Sequence, residues 1–497
     1  MKRLYYLLML LVAFMLPACN QNAPSNGSTT TSEETNTGDD SSDFVENQTF
    51  TTTLSITWNG TSATVEGSAD SVTITNSNGY VTIVSSAKKI AYAVSGSGTG
   101  QLSIYSDYKF KLEMNSLSLS CTDGPAINDQ CHKTTYVVLS GTNTLSDGSS
   151  YASTDEDRKA AFFSEGQLIF SGDGSLNVTG NYKHAIASDD YIRFRSGTYN
   201  LTANESDGVH TNDGIIIDGG SITIQAAGDG MQADTASIYM TGGEISVTAS
   251  DKGLLAYTNV DITDGTVYVK ATEKAIKAKG SITISGGTIT AISSSNEGIE
   301  AKSTMVISGG TIYAQASDDA INSGSHMTIT GGTVMAYSTG NDGIDANGNF
   351  YLQGGTVYAI GSRSPEVGID ANSEEGYQVY IQSGNMIAIN GIENGASISQ
   401  TCYSASYSTN TWYALYNGSD VVLAFKTPNV SASSMVVTSA NCSLYSGVTG
   451  TGTTILNGYG NTAASGGSSV TLSTYSGGNQ GGNPGGNPGG GGPGGRP

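Results

Sequence analysis

The chain has 497 residues, of which 13% are charged and 66 are glycine, and its formal net charge at pH 7 is −22. An average globular protein has roughly 25% charged residues. The acidic balance excludes nucleic acid as a ligand, because phosphate contacts need a basic face. The abundance of glycine, serine and threonine favours many short strands and tight turns over helices.

Residues 1–19 are typical of a bacterial export signal. Lys2 and Arg3 precede an apolar run, which ends in LPAC at Cys19. This ending resembles a lipobox, which implies cleavage before Cys19 and lipidation of its thiol. An ordinary secretory signal is the alternative, since Pro17 is unusual inside a lipobox. We expect an exported lipoprotein that its lipid anchors to a membrane, at the cell surface or in the outer membrane. Residues 20–48 are expected to form a disordered tether.

Four cysteines remain after Cys19, and an even number in an exported protein permits disulfides. Cys402 and Cys442 lie in one region of the chain, which favours a disulfide between these two.

Residues 49–391 contain a repeat of 22 to 25 residues. Each unit has three short stretches of alternating residues and a glycine pair at one corner, as in coil 298–317. This pattern predicts an all-β fold, a right-handed single-stranded parallel β-helix in which each coil pairs only with its neighbours. Ile299, Val306 and Ile312 are predicted to point into its core. A small residue marks the start of each unit, at Ala185, Gly208, Gly230, Gly253, Ala275, Gly298, Ala320, Gly343 and Gly368.

The repeat fades after residue 391. Residues 392–475 retain strand-like patterns and are predicted to form terminal β coils or a β cap. Residues 476–497 are rich in glycine and proline and are predicted to form a flexible tail.

Equivalent positions of successive coils lie above one another in such a fold, so polar residues form columns. The residue before each small marker gives a corner column: His184, Asp207, Asp229, Lys252, Lys274, Glu297, Asp319 and Asp342. The residue two after it gives a strand column: His210, Gln232, Leu255, Lys277, Glu300, Asn322, Asp345 and Asp370.

Stacked carboxylates one strand spacing apart repel each other by about 3 kcal/mol per pair at an effective dielectric near 20. A cation between coils would relieve this repulsion, and oxygen ligands suit Ca²⁺. The predicted calcium ligands are Asp207, Asp229, Asp234, Glu297, Glu300, Asp319, Asn322, Asp342, Asp345 and Asp370. The alternative is structural, because Asp and Asn are common at turns.

The central lysines Lys252, Lys274, Lys277 and Lys279 admit three interpretations. They pair with neighbouring carboxylates, they bind an anionic sugar such as a uronate, or Lys252, Lys274 or Lys277 is the general base of a lyase. A general base would need a lowered pKa.

A row of aromatic residues is predicted on one outward strand face. Tyr268, Tyr313 and Tyr358 would lie on alternate coils, about 9–10 Å apart, at a spacing comparable to the disaccharide repeat of a β-glycan. The alternative is that tyrosine is simply a good strand residue.

Three stretches resemble bacterial carbohydrate-binding domain-containing β-helix proteins. They are the run from Leu145 to Thr211, GDGMQADTASIYMTGG and NEGIEAKSTMVISGGTI, and the resemblance extends over roughly residues 50–450. The resemblance implies calcium at the coil corners, with Asp207, Asp229, Glu297, Asp319, Asp342 and Asp345 as ligands. It also implies a fold similar to family 9 pectate lyases and binding of cellulose or polygalacturonate. Lys252 and Lys274 depart from the DGI pattern of the family.

We therefore expect a monomeric, calcium-stabilised surface lipoprotein that binds plant or microbial polysaccharide without catalysis. The alternatives are a uronan lyase with a central lysine as base, and an adhesin or structural spacer.

Overall fold

Three parallel ladders of strands run along the chain and form a β-solenoid, which confirms the predicted fold class. The computed structural model describes residues 41–432 and 434–477, all within the unit Asp40–Pro497. The predicted signal peptide, the lipidated Cys19 and most of the tail lie outside the described residues. Within them, no helix is long and apolar enough to cross a membrane.

Ladder A starts with an antiparallel hairpin and continues as one parallel strand per coil. Its strands are Val72–Ser77, Tyr80–Ser85, Gln101–Ser106, Ile127–Asp129, Ala160–Ser164, His184–Ser188, Val209–Thr211, Met231–Ala233, Leu254–Ala256, Ile276–Ala278, Ile299–Ala301, Ile321–Ser323, Ile344–Ala346 and Ile369–Ala371.

Ladder B follows ladder A in each coil, and most of its strands have three residues. Its strands are Thr135–Ser140, Leu168–Gly172, Ile192–Phe194, Ile215–Ile217, Ile238–Met240, Val260–Ile262, Ile282–Ile284, Met305–Ile307, Met327–Ile329, Phe350–Leu352, Val379–Ile381 and Ser397–Ile398.

Ladder C completes each coil. Four N-terminal strands, Thr52–Gly60, Ser62–Glu66, Ile90–Thr99 and Phe110–Ser120, lead into it, and the last of them pairs with both ladders B and C. The others are Thr142–Ser146, Ser175–Gly180, Thr198–Ala203, Ser221–Ala226, Glu244–Ala249, Thr266–Ala271, Thr288–Ser293, Thr311–Ala316, Thr333–Ser338, Thr356–Ile360 and Asn385–Ile389.

Aliphatic side chains from all three ladders fill the solenoid. Ile299 and Ile312 are fully buried, as predicted, but Val306 is 37% exposed. Because side chains alternate along a strand, Met305 and Ile307 of the same three-residue strand point inward and Val306 points out. The prediction for Val306 was wrong by one residue of register.

The glycine pairs form the corner between ladders B and C. The second glycine of each pair has a positive φ, which is +85° at Gly310 and +79° at Gly332. Glycine alone adopts this conformation freely. A Cβ at Gly332 would also lie 2.6 Å from the carbonyl oxygen of Gly309 in the preceding coil, which explains why the pair recurs.

Residues 41–47 pack against the solenoid, although we predicted a tether as far as residue 48. Two 3-10 helices, Ser41–Asp43 and Val45–Asn47, occur here. Asp43 is 3% exposed, and its Oδ2 lies 3.1 Å from Nη1 of Arg193. Glu46 pairs with Arg195 at 2.7 Å. These ion pairs order the segment.

The C-terminal part forms a β cap that covers the outer face of ladder C at its last coils. Its six-stranded sheet has the order Thr454–Ile455, Gly460–Asn461, Asp420–Lys426, Trp412–Asn417, Cys442–Ser446 and Ser468–Ser469. Cys402–Ala405, Met435–Thr438 and Ser473–Tyr475 extend the solenoid sheet in antiparallel fashion, and Thr449–Gly450 pairs with Ala464–Ser465. The two remaining 3-10 helices of the described residues are Ser373–Glu375 and Leu456–Gly458.

The predicted disulfide between Cys402 and Cys442 is absent from the described part of the chain. Both thiols are free, as are those of Cys121 and Cys131. The two cysteines belong to different sheets, since Cys402 extends the solenoid sheet and Cys442 belongs to the cap.

Candidate functional site

The polar columns run side by side along ladder A, and we call them together the polar corner. The register places Lys277 beside Glu300, and then Asn322, Asp345 and Asp370 follow one per coil. The corner divides into a histidine segment (184–234), a lysine segment (251–302) and an acidic segment (318–393).

The aspartates of the corner column connect successive coils. One carboxylate oxygen of each accepts a hydrogen bond from the backbone N–H at the equivalent position of the next coil. The bonds run from Asp229 N to Asp207 Oδ1 (2.8 Å), Lys252 N to Asp229 Oδ1 (2.8 Å), Asp342 N to Asp319 Oδ1 (3.0 Å) and Val367 N to Asp342 Oδ1 (2.5 Å). These residues therefore have a structural role between coils, and their second oxygen remains available to other partners.

The lysine segment centres on Glu300, which is 0% exposed. Its carboxylate pairs with Lys274 at 3.0 Å, with Lys277 at 3.3 Å and with Lys302, and Lys274 also pairs with Glu297. Burial alone would raise the pKa of Glu300, but the lysines lower it to about 2. Glu300 is thus a buried anion neutralised by its neighbours.

Lys252 belongs to a second group of ion pairs one coil earlier. Its Nζ lies 2.7 Å from Asp251, 3.4 Å from Glu273 and 3.9 Å from Asp229. Burial would lower the pKa of Lys252, but these carboxylates more than offset it and the pKa is raised.

Lys252 and Lys274 are therefore poorly suited to act as bases. Burial would likewise lower the pKa of Lys274, yet its hydrogen bonds to Glu297 and Glu300 raise it. Lys279 lies over the ring of Tyr257, with Nζ 4.4 Å from the centroid. The structure agrees with the ion-pair interpretation.

The acidic segment has no such partners. Among the described residues, no lysine, arginine or histidine nitrogen lies within 4.0 Å of a carboxylate oxygen of Asp319, Asp342 or Asp345. Nδ2 of Asn322 lies between two of them, 3.3 Å from Asp319 Oδ2 and 2.8 Å from Asp345 Oδ2. Asn322 thus bridges carboxylates of two successive coils, and no side-chain cation of the described residues neutralises them.

Burial is the main cause of raised pKa values in this segment. The pKa of Asp319 is raised to about 8 by burial and then by the charges of Asp345 and Asp318. Burial raises the pKa of Asp342 to about 7 and that of Asp345 to about 6. Burial and the neighbouring Glu393 also raise the pKa of Asp370. Burial therefore disfavours the charged form of all four carboxyls, and a cation beside them would favour it.

The histidine segment brings together residues that sequence reasoning did not combine. Oδ2 of Asp207 lies 3.1 Å from Nδ1 of His184 and 3.0 Å from Nδ1 of His210. The imidazole rings stack at 4.2 Å, and Nε2 of His210 lies 3.3 Å from Oδ2 of Asp234. The ligand atoms of His184, Asp207 and His210 all lie within 4.8 Å of one another. No other three His, Cys, Asp or Glu side chains of the described residues come together in this way.

The pKa values of Asp207 and His184 are both shifted in this segment. Burial opposes ionisation of Asp207, but hydrogen bonds from both histidines hold the pKa of this carboxyl well below its usual range. Burial lowers the pKa of His184. Asp229, also among the predicted calcium ligands, does not join this cluster and directs its carboxylate to Lys252. One sequence signal could have revealed this cluster: His184 is the first residue of the corner column and His210 is the first residue of the strand column.

The prediction of an exposed tyrosine row is wrong for two of its three members. Tyr268 is 41% exposed, but Tyr313 and Tyr358 are 1% and 0% exposed. The cap covers both, since the ring of Tyr313 stacks on Tyr459 at 6.2 Å and the hydroxyl of Tyr358 donates to the carbonyl of Lys426 at 3.0 Å.

A cleft of about 490 Å³ opens where the outer face of ladder C meets the cap. Its floor includes Thr288 and Thr290, and Asn457 of the cap lines the opposite wall. Tyr268 is the direct neighbour of Thr290 in the preceding coil. The exposed ring therefore lies next to a cleft in which hydroxyl and amide groups alternate with the apolar side chains of Ile289, Ile455 and Leu456.

Residues 77–343 match the family model of carbohydrate-binding domain-containing proteins. The chain belongs to this family. It is also similar to a solved structure, the polysaccharide lyase-like protein from C. thermocellum in its gadolinium derivative, with 20% sequence identity and a TM-score of 0.34. That alignment covers 60% of this chain and 96% of the other. No curated protein matches the chain.

Proposed function

We propose that the chain binds an uncharged β-linked polysaccharide of the cellulose type on the outer face of ladder C, from Tyr268 into the cleft at the cap. Membership of the carbohydrate-binding family supports a glycan ligand. The observation that carries the specific proposal is the exposed ring of Tyr268 beside the threonines of the cleft. Aromatic rings stack on sugar faces, and hydroxyl and amide groups bond sugar hydroxyls.

The outer face of ladder C is uncharged along its central column. Asn177, Asn200, Thr223, Ser246, Tyr268 and Thr290 follow one another in register, one per coil. Strand spacing places them about 4.8 Å apart on a nearly straight line. A linear glycan lying along this column would meet a regular series of small polar groups.

The charges of the chain favour a neutral glycan over polygalacturonate. A formal net charge of −22 repels a polyanion. The central lysines do not compensate for this repulsion, because Lys252, Lys274 and Lys277 are paired with carboxylates. The raised pKa values of Lys252 and Lys274 argue against either as a lyase base, and the pairing of Lys277 with the buried Glu300 argues against the third candidate.

Retention on microcrystalline cellulose tests this proposal. The full chain should bind cellulose, and Tyr268→Ala should weaken binding about 10-fold, the effect of losing roughly 1.4 kcal/mol of ring stacking. Tyr257→Ala is the matched control, since Tyr257 is 52% exposed but lies away from the cleft, beneath Lys279. Its binding should be unchanged.

Three results would contradict the proposal. Equal binding by both tyrosine variants would place the glycan elsewhere. Selective retention on polygalacturonate, or release of unsaturated products from it, would favour a uronan binder or a lyase. No retention on either polymer would leave the adhesin or structural spacer.

The same proposal includes Ca²⁺ in the acidic segment, where Asp319, Asp342, Asp345 and Asn322 would hold it. The donors fit in kind, because they are oxygen atoms from two successive coils, their carboxyls have raised pKa values and no side-chain cation pairs with them. Among the described residues the oxygens of the three carboxylates do not all lie within 4.8 Å of one another, so the ion would have to draw them together. Rotating the Asn322 amide by half a turn would present its oxygen instead of its N–H groups. Bound calcium would supply the positive charge that lets the carboxylates ionise.

The lysine segment does not fit calcium. Ammonium groups already neutralise Glu297 and Glu300, so these two predicted ligands are better explained as ion-pair partners. The departure from the family pattern at Lys252 and Lys274 thus has a physical reason, since each lysine provides the charge that an ion would otherwise supply.

We also propose export and anchoring through a lipid on Cys19, supported by the pattern of residues 1–19. Mass spectrometry of the mature N-terminus tests it. A diacylglyceryl cysteine as the first residue is expected, whereas an unmodified N-terminus would indicate an ordinary secretory signal.

A further inference from the structure

The histidine segment offers a different set of donor atoms from the rest of the polar corner. Two imidazole nitrogens, His184 Nδ1 and His210 Nδ1, approach one carboxylate oxygen of Asp207 at 3.1 and 3.0 Å. His184 is 6% exposed and Asp207 is 7% exposed. Nδ1 of His184 also lies 3.3 Å from the backbone N–H of Asp207, which is a second possible partner for its lone pair. Nδ1 of His210 and Oδ2 of Asp207 need a proton or a cation between them, because otherwise their lone pairs would face each other.

Asp234 indicates the tautomer of His210. Its Oδ2 lies 3.3 Å from Nε2 of His210, so this nitrogen donates its proton to the carboxylate. Gln232 Nε2 in turn donates to Oδ1 of Asp234 at 2.5 Å and orients it. Without a metal ion, Nδ1 of His210 also carries a proton and donates it to Asp207. A metal ion that displaces this proton would leave a neutral ring with its proton on Nε2 and the lone pair of Nδ1 directed at the ion. A carboxylate behind a histidine in this way is the usual outer partner of a histidine bound to zinc.

We propose that Nδ1 of His184, Nδ1 of His210 and Oδ2 of Asp207 bind one divalent transition-metal ion of the zinc class, at a site separate from the acidic segment. Zinc bonds of about 2.0–2.2 Å in a tetrahedral site place neighbouring ligand atoms roughly 3.3–3.5 Å apart. The two observed distances are only a few tenths of an ångström shorter.

The scaffold suits such a site. His184 and His210 begin and centre neighbouring ladder A strands, and Asp207 is fixed between them because its Oδ1 accepts the N–H of Asp229 at 2.8 Å. Lys159, whose charge also acts on His184, is held by Asp189 with an Nζ–Oδ1 distance of 2.5 Å. Imidazole ligands favour zinc over calcium, which prefers oxygen donors.

Metal binding by the purified full chain tests this inference. Chelator-treated protein, dialysed against Zn²⁺ alone, should take up one zinc per chain that millimolar Ca²⁺ does not displace. His184→Asn and His210→Asn should each reduce the zinc affinity by at least ~100-fold, and Asp234→Asn by about 10- to 100-fold. His132→Asn is the matched control, because the side chain of His132 is 78% exposed and lies outside the cluster.

Cobalt provides a second measurement. Co²⁺ in place of zinc should give the visible absorption bands of a tetrahedral site, and His210→Asn should abolish them. Urea unfolding in chelator establishes that each variant is folded. If either histidine variant is unfolded, Asp234→Asn decides the question, because it removes only the outer carboxylate.

Several results would overturn the inference. These are no zinc uptake by the wild-type chain at micromolar concentrations, equal uptake by the His184, His210 and His132 variants, or displacement of zinc by calcium. The Tyr268→Ala variant should retain its zinc, so the cellulose proposal and the zinc site can fail independently.

Discussion

Replacing Asp342 with asparagine should stabilise the folded chain at pH 8 without calcium, and calcium should reduce this advantage. The side chain is 8% exposed, and its Oδ1 accepts the N–H of Val367 at 2.5 Å. Asparagine keeps an acceptor oxygen for this bond and removes only the charge. The variant therefore separates the hydrogen bond between coils from the electrostatics of the acidic segment.

The magnitude follows from the pKa of Asp342, which burial raises from 3.8 to about 7. A folded-state pKa above the unfolded value means that the contribution to stability is complete below pH 3.8 and is lost as the pH rises to about 7. Three pKa units correspond to about 4 kcal/mol. Without calcium at pH 8, Asp342→Asn should therefore be more stable than the wild-type chain, by up to about that amount.

Calcium should narrow the difference between the two chains. An ion bound only by the folded chain at 100 times its dissociation constant stabilises it by about 2.7 kcal/mol. The wild-type chain should gain this stability at pH 8, and the variant, which lacks one ligand charge, should gain less. At pH 5 calcium should matter little, because protons occupy the carboxyls.

Urea unfolding followed by far-ultraviolet circular dichroism measures this, with midpoints compared in EGTA and in calcium at pH 5 and pH 8. Asp264→Asn is the matched control, since Asp264 also accepts one backbone N–H, from Gly265 at 2.7 Å, but is exposed. Its midpoint should not depend on calcium. A lower midpoint for Asp342→Asn than for the wild-type chain at pH 8, both in EGTA and in calcium, would refute the reasoning.

Three further predictions concern the ion pairs and the glycine corner. Glu300→Gln leaves Lys274 buried without a full counter-charge and should cost about 3–5 kcal/mol at pH 7, seen as a lower urea midpoint. Because the pKa of Glu300 is lowered to about 2, its stabilisation is present above pH 4.5 and is lost as the pH falls toward 2, so wild-type stability should decrease over that range. An equal decrease in the Gln variant would show that other groups are responsible. Gly332→Ala should lower the melting temperature through both its positive φ and the contact with Gly309, at a cost above the ~1–3 kcal/mol of backbone strain alone. Gly376→Ala, at φ +87° with nothing within 4 Å, isolates the strain and should cost less.

Much of the polar corner could be predicted because a solenoid converts sequence period into spatial neighbours. A spacing of 23 residues between Lys277 and Glu300 is sufficient to place them side by side. The sequence did not show that Glu300 is fully buried and contacts three lysines at once. Those contacts depend on how two columns face each other across a corner.

The tyrosine row shows the limit of the same reasoning. The period correctly aligned Tyr268, Thr290 and Tyr313. The cap residues that bury Tyr313 and Tyr358, among them Tyr459 and Lys426, lie far along the chain and outside the repeat. No periodic pattern predicts where such a segment docks.

The sequence by itself determined the parallel β-solenoid, its coil length and the order of residues in each column, because these follow from contacts between adjacent repeats. Only the tertiary structure decided which carboxylates are neutralised, which tyrosine remains exposed and that His184, Asp207 and His210 meet at one point. Those outcomes depend on side-chain orientation at the corners and on long-range docking of the cap, and neither is a property of the repeat.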